Sequence, residues 1–176
     1  MSSATTLASA HQARAQVAPV VEAKALSIVC FSGEWDKLFA AFTIANGALA
    51  MGREVHVFVT FWATAAFDCS PTSSWSARIK RWLVGAGADQ APLSKHNYLG
   101  LGRRLLARKM RRNGVASLSA LIAQAQELGV HLYFCDMSMR LLSYDPPKLA
   151  EGSAAKLCGV ATFLSVTEES QQTLFI

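Results

Sequence analysis

Leu26-Ser-Ile-Val-Cys-Phe31, an apolar stretch from Leu38 to Met51 closed by Gly52, and Val55-His-Val-Phe-Val-Thr-Phe61 follow one another in fewer than forty residues. The outer two pieces are short, apolar and rich in β-branched residues, and turn formers bound them, so they read as buried strands. The piece between them has the length of a helix, with Asp36 placed to cap its start and Gly52 to reverse the chain at its end. Strand, helix and strand over this span make a βαβ unit with a right-handed crossover.

The same signals return towards the C-terminus. Ser117 caps a helix over Leu118 to Leu128, in which Leu118, Leu121, Ile122 and Ala125 recur at helical spacing. Gly129 ends it, and Val130-His-Leu-Tyr-Phe-Cys135 is the third strand. A short helix starting near Ser138 should stop before Pro146-Pro147, a last helix covers about Val160 to Glu169, and Thr173 to Ile176 form a closing strand. This alternation predicts an α/β domain with a doubly wound, mostly parallel sheet of about five strands. Between the second and third strands, residues 63–102 carry Pro71, Gly85, Gly87 and Pro92 and read as a long excursion, followed by a basic amphipathic helix from about Leu101 to Arg112.

At 176 residues the chain is the size of one domain. Residues 25–176 are assigned to it, and residues 1–24, rich in Ala, Ser and Thr, to a flexible extension. Apolar residues reach 52% and charged residues only 16%, which rules out general disorder and favours self-association into a homo-oligomer. The net charge of +5 is concentrated where Arg103, Arg104, Arg108, Lys109, Arg111 and Arg112 fall together. Arg104, Arg108 and Arg111 are therefore the candidate partner-binding residues, and no nucleic acid is expected as the partner. The run from Leu38 to Met51 is too short to span a bilayer, although with Val55 to Phe67 it leaves peripheral membrane contact open. Without a visible secretory signal, a cytoplasmic location with reduced thiols is expected.

No metal or cofactor is expected. Cys30, Cys69, Cys135 and Cys158 form no close Cys-x-x-Cys pair, and His11, His56, His96 and His131 show no ligand spacing. Neither a Walker sequence nor Gly-x-Gly-x-x-Gly follows the first strand. In an open parallel sheet ligands bind beyond the carboxyl ends of the strands. Ser32-Gly33, Thr60-Phe61-Trp62, Cys135 and Cys158-Gly159 are placed there, with Trp62 suited to line a pocket. Cys135 closes a strand just before the Ser138 helix, whose first amides favour a thiolate or persulfide, and Arg140 should add positive charge. Cys158 also precedes a helix and is a secondary candidate. Cys30, in mid-strand, reads as core, and so does His131.

Ser32-Gly-Glu-Trp-Asp-Lys37, Thr60-Phe-Trp62, Leu93-Ser-Lys95, Gly129-Val130, Cys135-Asp-Met-Ser-Met139, Gly159-Val-Ala-Thr162 and Leu174-Phe-Ile176 occur in order from about residue 25 to the C-terminus. This set resembles the DsrE/DsrF-like proteins, most of all the subgroup labelled DsrE-related or peroxiredoxin-family, whose members carry a cysteine, any residue, then Met-Ser-Met. The resemblance implies a flavodoxin-like, DsrE-like three-layer sandwich. It also implies a sulfur-relay function, in which Cys135 holds sulfane sulfur as a persulfide shielded by Trp62, Met137 and neighbouring amides. TusA-like carriers or rhodanese-like proteins would be its partners. The sequence departs from that pattern after Met139, where Arg140-Leu-Leu-Ser143 stands in place of an acid, two apolar residues and glycine. Two other readings stay open. One is an oligomeric or membrane-peripheral adaptor that binds through the basic helix with a structural Cys135, and the other a flavodoxin-like ligand binder.

Overall fold

Every second residue of the central strands meets the same layer, and two layers result. Leu26, Ile28, Cys30, Val55, Val57, Val59, Leu132 and Phe134 share one buried cluster, whereas Phe58, Tyr133, Cys135, Cys158 and Phe163 share another. The computed structural model describes residues 25–67, 87–94, 101–142, 144 and 156–176, apart from the side chains of residues 101 and 103. The extension assigned to residues 1–24, the Cys69 loop, Lys95, Trp75 and Trp82 lie outside the described residues.

The strands are β1 (Leu26–Cys30), β2 (Val55–Val59), β3 (His131–Cys135), β4 (Lys156–Cys158) and β5 (Gln172–Phe175). They form one five-stranded sheet in the order β4-β3-β2-β1-β5, and every pairing is parallel. The helices are α1 (Trp35–Ala50), α2 (Leu101–Arg112), α3 (Leu118–Glu127), α4 (Asp136–Leu142) and α5 (Val160–Val166). Helices α1 and α3 cover the first layer, bridged where Asn46 Nδ2 donates to the Leu121 carbonyl at 2.9 Å. Helix α5 lies on the opposite face, with Phe163 stacked on Phe58 at 4.6 Å between ring centroids. Right-handed crossovers explain this division, because the chain steps outward from β1 to β4 and then returns across the sheet to β5. The fold is therefore the doubly wound, flavodoxin-like sandwich expected.

Two local expectations change. Glu34, not Asp36, occupies the N-cap of α1, and it makes no side-chain cap hydrogen bond. Asp36 sits in the first turn, where its carboxylate accepts from the Ser94 N–H at 2.9 Å and the Ser94 hydroxyl at 2.5 Å, tying the segment after residue 87 to the helix. Strand β4 was not legible as a strand in the sequence. Its three residues, Lys-Leu-Cys, carry no measurable alternation, and only pairing with β3 defines them.

The core is aromatic at its centre. Phe42 is fully buried against Phe67, which meets Phe134 edge-on at 5.2 Å. Each such ring stabilises the fold by about 1.5–3 kcal/mol through burial alone. Cys30 belongs to this layer, and burial pushes its thiol up to about 12, so it stays a neutral apolar filler at neutral pH.

Candidate functional site

The carboxyl ends of β2 and β3 bring three side chains together. The β2–β3 register ends at Val59↔Phe134, so the next residues on the two strands, Thr60 and Cys135, lie side by side. Helix α4 begins at Asp136, immediately after the cysteine, and its first turn folds Ser138 back beneath it. Ser138 is fully buried, and its hydroxyl is 2.8 Å from the Thr60 hydroxyl.

These groups surround the Cys135 sulfur with donors. Burial raises the thiol pKa, but hydrogen bonding from the Ser138 hydroxyl and N–H, the Thr60 hydroxyl and the Met137 N–H lowers it and outweighs burial; the two hydroxyls, bonded to each other at 2.8 Å, share this role, since one of their protons lies between them. The net result is a thiol below the ordinary cysteine range. Cys135 is only 1% exposed, so its thiolate, when formed, is stabilised by hydrogen bonds inside the protein and not by bulk water.

The second cysteine is beside the first. Strands β3 and β4 are in register at Cys135↔Cys158, and both thiols belong to the same buried cluster. Burial raises the Cys158 pKa, and the neighbouring Cys135 charge raises it further. The pair therefore consists of one thiol shifted below and one shifted above the ordinary cysteine value, both free.

Other candidate residues are placed differently. Ser32, Gly33 and Trp62 line a separate pocket of about 430 Å³ with Phe31, Lys37 and Pro92, beyond the ends of β1 and β2. Trp62, expected as a shield for Cys135, is half exposed and lines this pocket, to whose wall Cys135 does not belong. The chain reaches this arrangement through Phe61, whose φ of 46° is left-handed and costs about 1–2 kcal/mol in a non-glycine residue. The turn presses the Trp62 carbonyl onto Gly33, where an added Cβ would lie 2.3 Å from that oxygen. Gly33→Ala should therefore lower stability by about 1–3 kcal/mol, measurable by urea denaturation, because the obstructing atoms are backbone and cannot swing aside. An unchanged midpoint would show that the two loops part easily.

Arg140 corrects an expectation. Its guanidinium pairs with Asp136 four residues earlier, at 2.9 and 3.0 Å, and points into solvent, so it adds no charge at the sulfur. Met137 contributes its backbone N–H, while its side chain is exposed. His131 is no base for the cysteine, since four residues of strand separate them by roughly 13 Å. It stacks instead on His56 at 5.2 Å, and both rings face the Glu54 carboxylate at 3.2 and 3.5 Å, at the amino end of the sheet. Among the described residues no group of three His, Cys, Asp or Glu side chains is arranged to hold a metal ion.

Thr60, which the sequence placed at the carboxyl end of β2 without giving it a role, stands beside Cys135. Its position at the end of a strand was visible; its pairing with Ser138 required the β2–β3 register.

The sequence profile of the DsrE/DsrF/DrsH-like family matches residues 22–175. The chain belongs to this family. It is 37% identical over 159 residues to the uncharacterized protein YrkE of Bacillus subtilis, covering 88% of this chain and 98% of that protein. It is also 27% identical over 166 residues to the sulfur carrier protein DsrE2 of Allochromatium vinosum, covering 89% of this chain and all of that protein. Within this DsrE-like chain, the basic helix α2 extends from the domain with Arg104, Leu105, Arg108, Lys109 and Arg112 exposed. Arg111 lines a cleft of about 190 Å³ next to Trp35 and Asp89. Among the described residues no helix is long and apolar enough to cross a membrane.

Proposed function

We propose that this DsrE-like protein is a sulfur-relay protein, which takes sulfane sulfur onto Cys135 as a persulfide and passes it to an acceptor thiol. The observation that carries the reading is the buried Cys135 at the carboxyl end of β3, immediately before α4, with the paired Thr60 and Ser138 hydroxyls beside it. Such a setting favours the attacking thiolate, and it equally favours the thiolate as leaving group when sulfur departs. The family, and a relative whose name is that of a sulfur carrier, support sulfur metabolism as the setting.

TusA-like carriers or rhodanese-like proteins are the proposed partners, and a homo-oligomer the proposed state. Met137 and Leu141 on α4, and Val160 and Leu164 on α5, leave exposed apolar pairs beside the two cysteines where another protein can seat. The exposed cations of α2 would steer an acidic partner or second copy towards the same carboxyl edge, since the end of α2 meets the starts of α1 and α3 there.

The test is to load the protein with inorganic polysulfide, desalt it and add a TusA-like carrier. The expected result is an increment of about 32 Da, one sulfur atom, on the Cys135 peptide that moves to the carrier. Transfer should slow as salt rises from low to physiological ionic strength. An unloaded Cys135 peptide would eliminate the relay. Transfer indifferent to salt would remove α2 from docking and leave the apolar rim alone.

A further inference from the structure

The in-register pairing of Cys135 with Cys158 joins two thiols that are far apart in sequence and unequal in acidity. We infer that Cys158 is a second sulfur station, to which the outer sulfur of a Cys135 persulfide moves before it leaves the protein at the edge of the sheet. The inference rests on Cys135 being the acceptor.

Strand spacing supports the move. Adjacent strands lie about 4.8 Å apart, and residues in register on parallel strands point their side chains in the same direction. Two cysteines so placed have their Cα atoms about one strand spacing apart, and both thiols are free. Displacement at sulfur proceeds with attacking, central and departing atoms in line, and two partly formed S–S bonds, each somewhat longer than 2.05 Å, span between about 4 and 5 Å. Neighbouring cysteines in register are therefore close enough for one sulfur to pass between them.

The step balances without a further reagent. Cys135 carries the sulfur as a persulfide anion, and Cys158 is a neutral thiol. The Cys158 proton passes first to the outer sulfur, giving a neutral S–SH on Cys135 and a thiolate on Cys158. The Cys158 thiolate then forms a bond to that outer sulfur, the bond from it to Cys135 breaks, and the electron pair stays on Cys135 as thiolate. One S–S bond is exchanged for another, so nothing is oxidised or reduced overall. Hydrogen bonding at the carboxyl end of β3 lowers the Cys135 pKa while the Cys158 pKa is raised, so Cys135 is the better leaving group and sulfur moves towards Cys158.

Position gives the hop a purpose. Cys135 is 1% exposed and lies on an inner strand, whereas Cys158 is 9% exposed and ends β4, which among the described residues is the outermost strand on that side, with Leu157 and Gly159 exposed around it. Sulfur held at Cys158 is nearer the surface than sulfur held at Cys135.

The test uses the full chain loaded with inorganic polysulfide, alkylated, and digested after Lys and Arg. Cys30, Cys135 and Cys158 then fall on separate peptides, residues 25–37, 113–140 and 157–176. In the unmodified protein both the 113–140 and 157–176 peptides should carry extra sulfur, with the former labelled first, while the Cys30 peptide stays unlabelled. Cys135→Ser should lose the label from both, and Cys158→Ser should keep it on 113–140 but lose rapid discharge to glutathione. Label on 157–176 in Cys135→Ser would overturn the hop, as would a Cys158 peptide that never labels while Cys135 does. A 113–140 peptide that stays unlabelled in the unmodified protein would instead remove the acceptor role itself, which separates the two failures.

Discussion

Cys135→Ser should abolish sulfane-sulfur loading while leaving the fold intact. Serine is nearly isosteric and can use the Ser138 and Thr60 hydroxyls and the two N–H groups as partners, so circular dichroism should match that of the unmodified protein. Its hydroxyl is not ionised at neutral pH and cannot form a persulfide, so the adduct of about 32 Da should fall to background. Stability carries an independent signature. The folded Cys135 pKa lies below that of the unfolded thiol, so the contribution of the thiolate is absent at acid pH, grows as pH rises through the folded value, and is complete above the unfolded one. The urea midpoint of the unmodified protein should therefore gain on that of Cys135→Ser with rising pH through this window. Parallel midpoints would mean that the donors do not hold a thiolate.

Ser138→Ala has the second-largest expected effect, and it acts on rate without touching the nucleophile. The Ser138 hydroxyl is the strongest of the donors that lower the Cys135 pKa. A hydrogen bond to a charged group is worth about 1.5–3 kcal/mol, which corresponds to roughly 1–2 pKa units. Loss of a donor to the thiolate raises the pKa, so loading with polysulfide at pH 7 should slow by about 10-fold or more, with the pH profile displaced upwards by the same interval. Above the new pKa the two proteins should converge. The variant also removes the partner of the buried Thr60 hydroxyl, at a cost of about 1–3 kcal/mol in stability. A stable variant with an unmoved pH profile would assign the low pKa to the backbone N–H groups.

The basic helix and the thiol site answer different questions. Helix α2 carries no acidic residue, and its exposed Arg104, Arg108, Lys109 and Arg112 act at a distance, so they bear on encounter with a partner. The donors at Cys135 act at contact and bear on the chemistry. Salt should move the first and leave the second unchanged, which lets one set of rate measurements separate them.

Much of this protein is determined along the chain itself. Four of the five strands and the long helices are legible because each is a local pattern: Val55-His-Val-Phe-Val59 is apolar and bounded by turn residues, and Leu118, Leu121, Ile122 and Ala125 recur at helical spacing. The position of Cys135 at a strand end was equally local. Tertiary structure alone decided what surrounds that cysteine. Thr60 reaches it because β2 and β3 pair in one register, and Cys158 reaches it because three residues with no pattern of their own add to the edge of β3. Arg140 stays away because Asp136, one helical turn earlier, offers it a nearer charge. Hydrophobic periodicity records which face of an element is buried, whereas register and ion pairing depend on partners distant in sequence or on a choice between charges. Those are the interactions that lower the pKa of a buried cysteine and set a second thiol at its side.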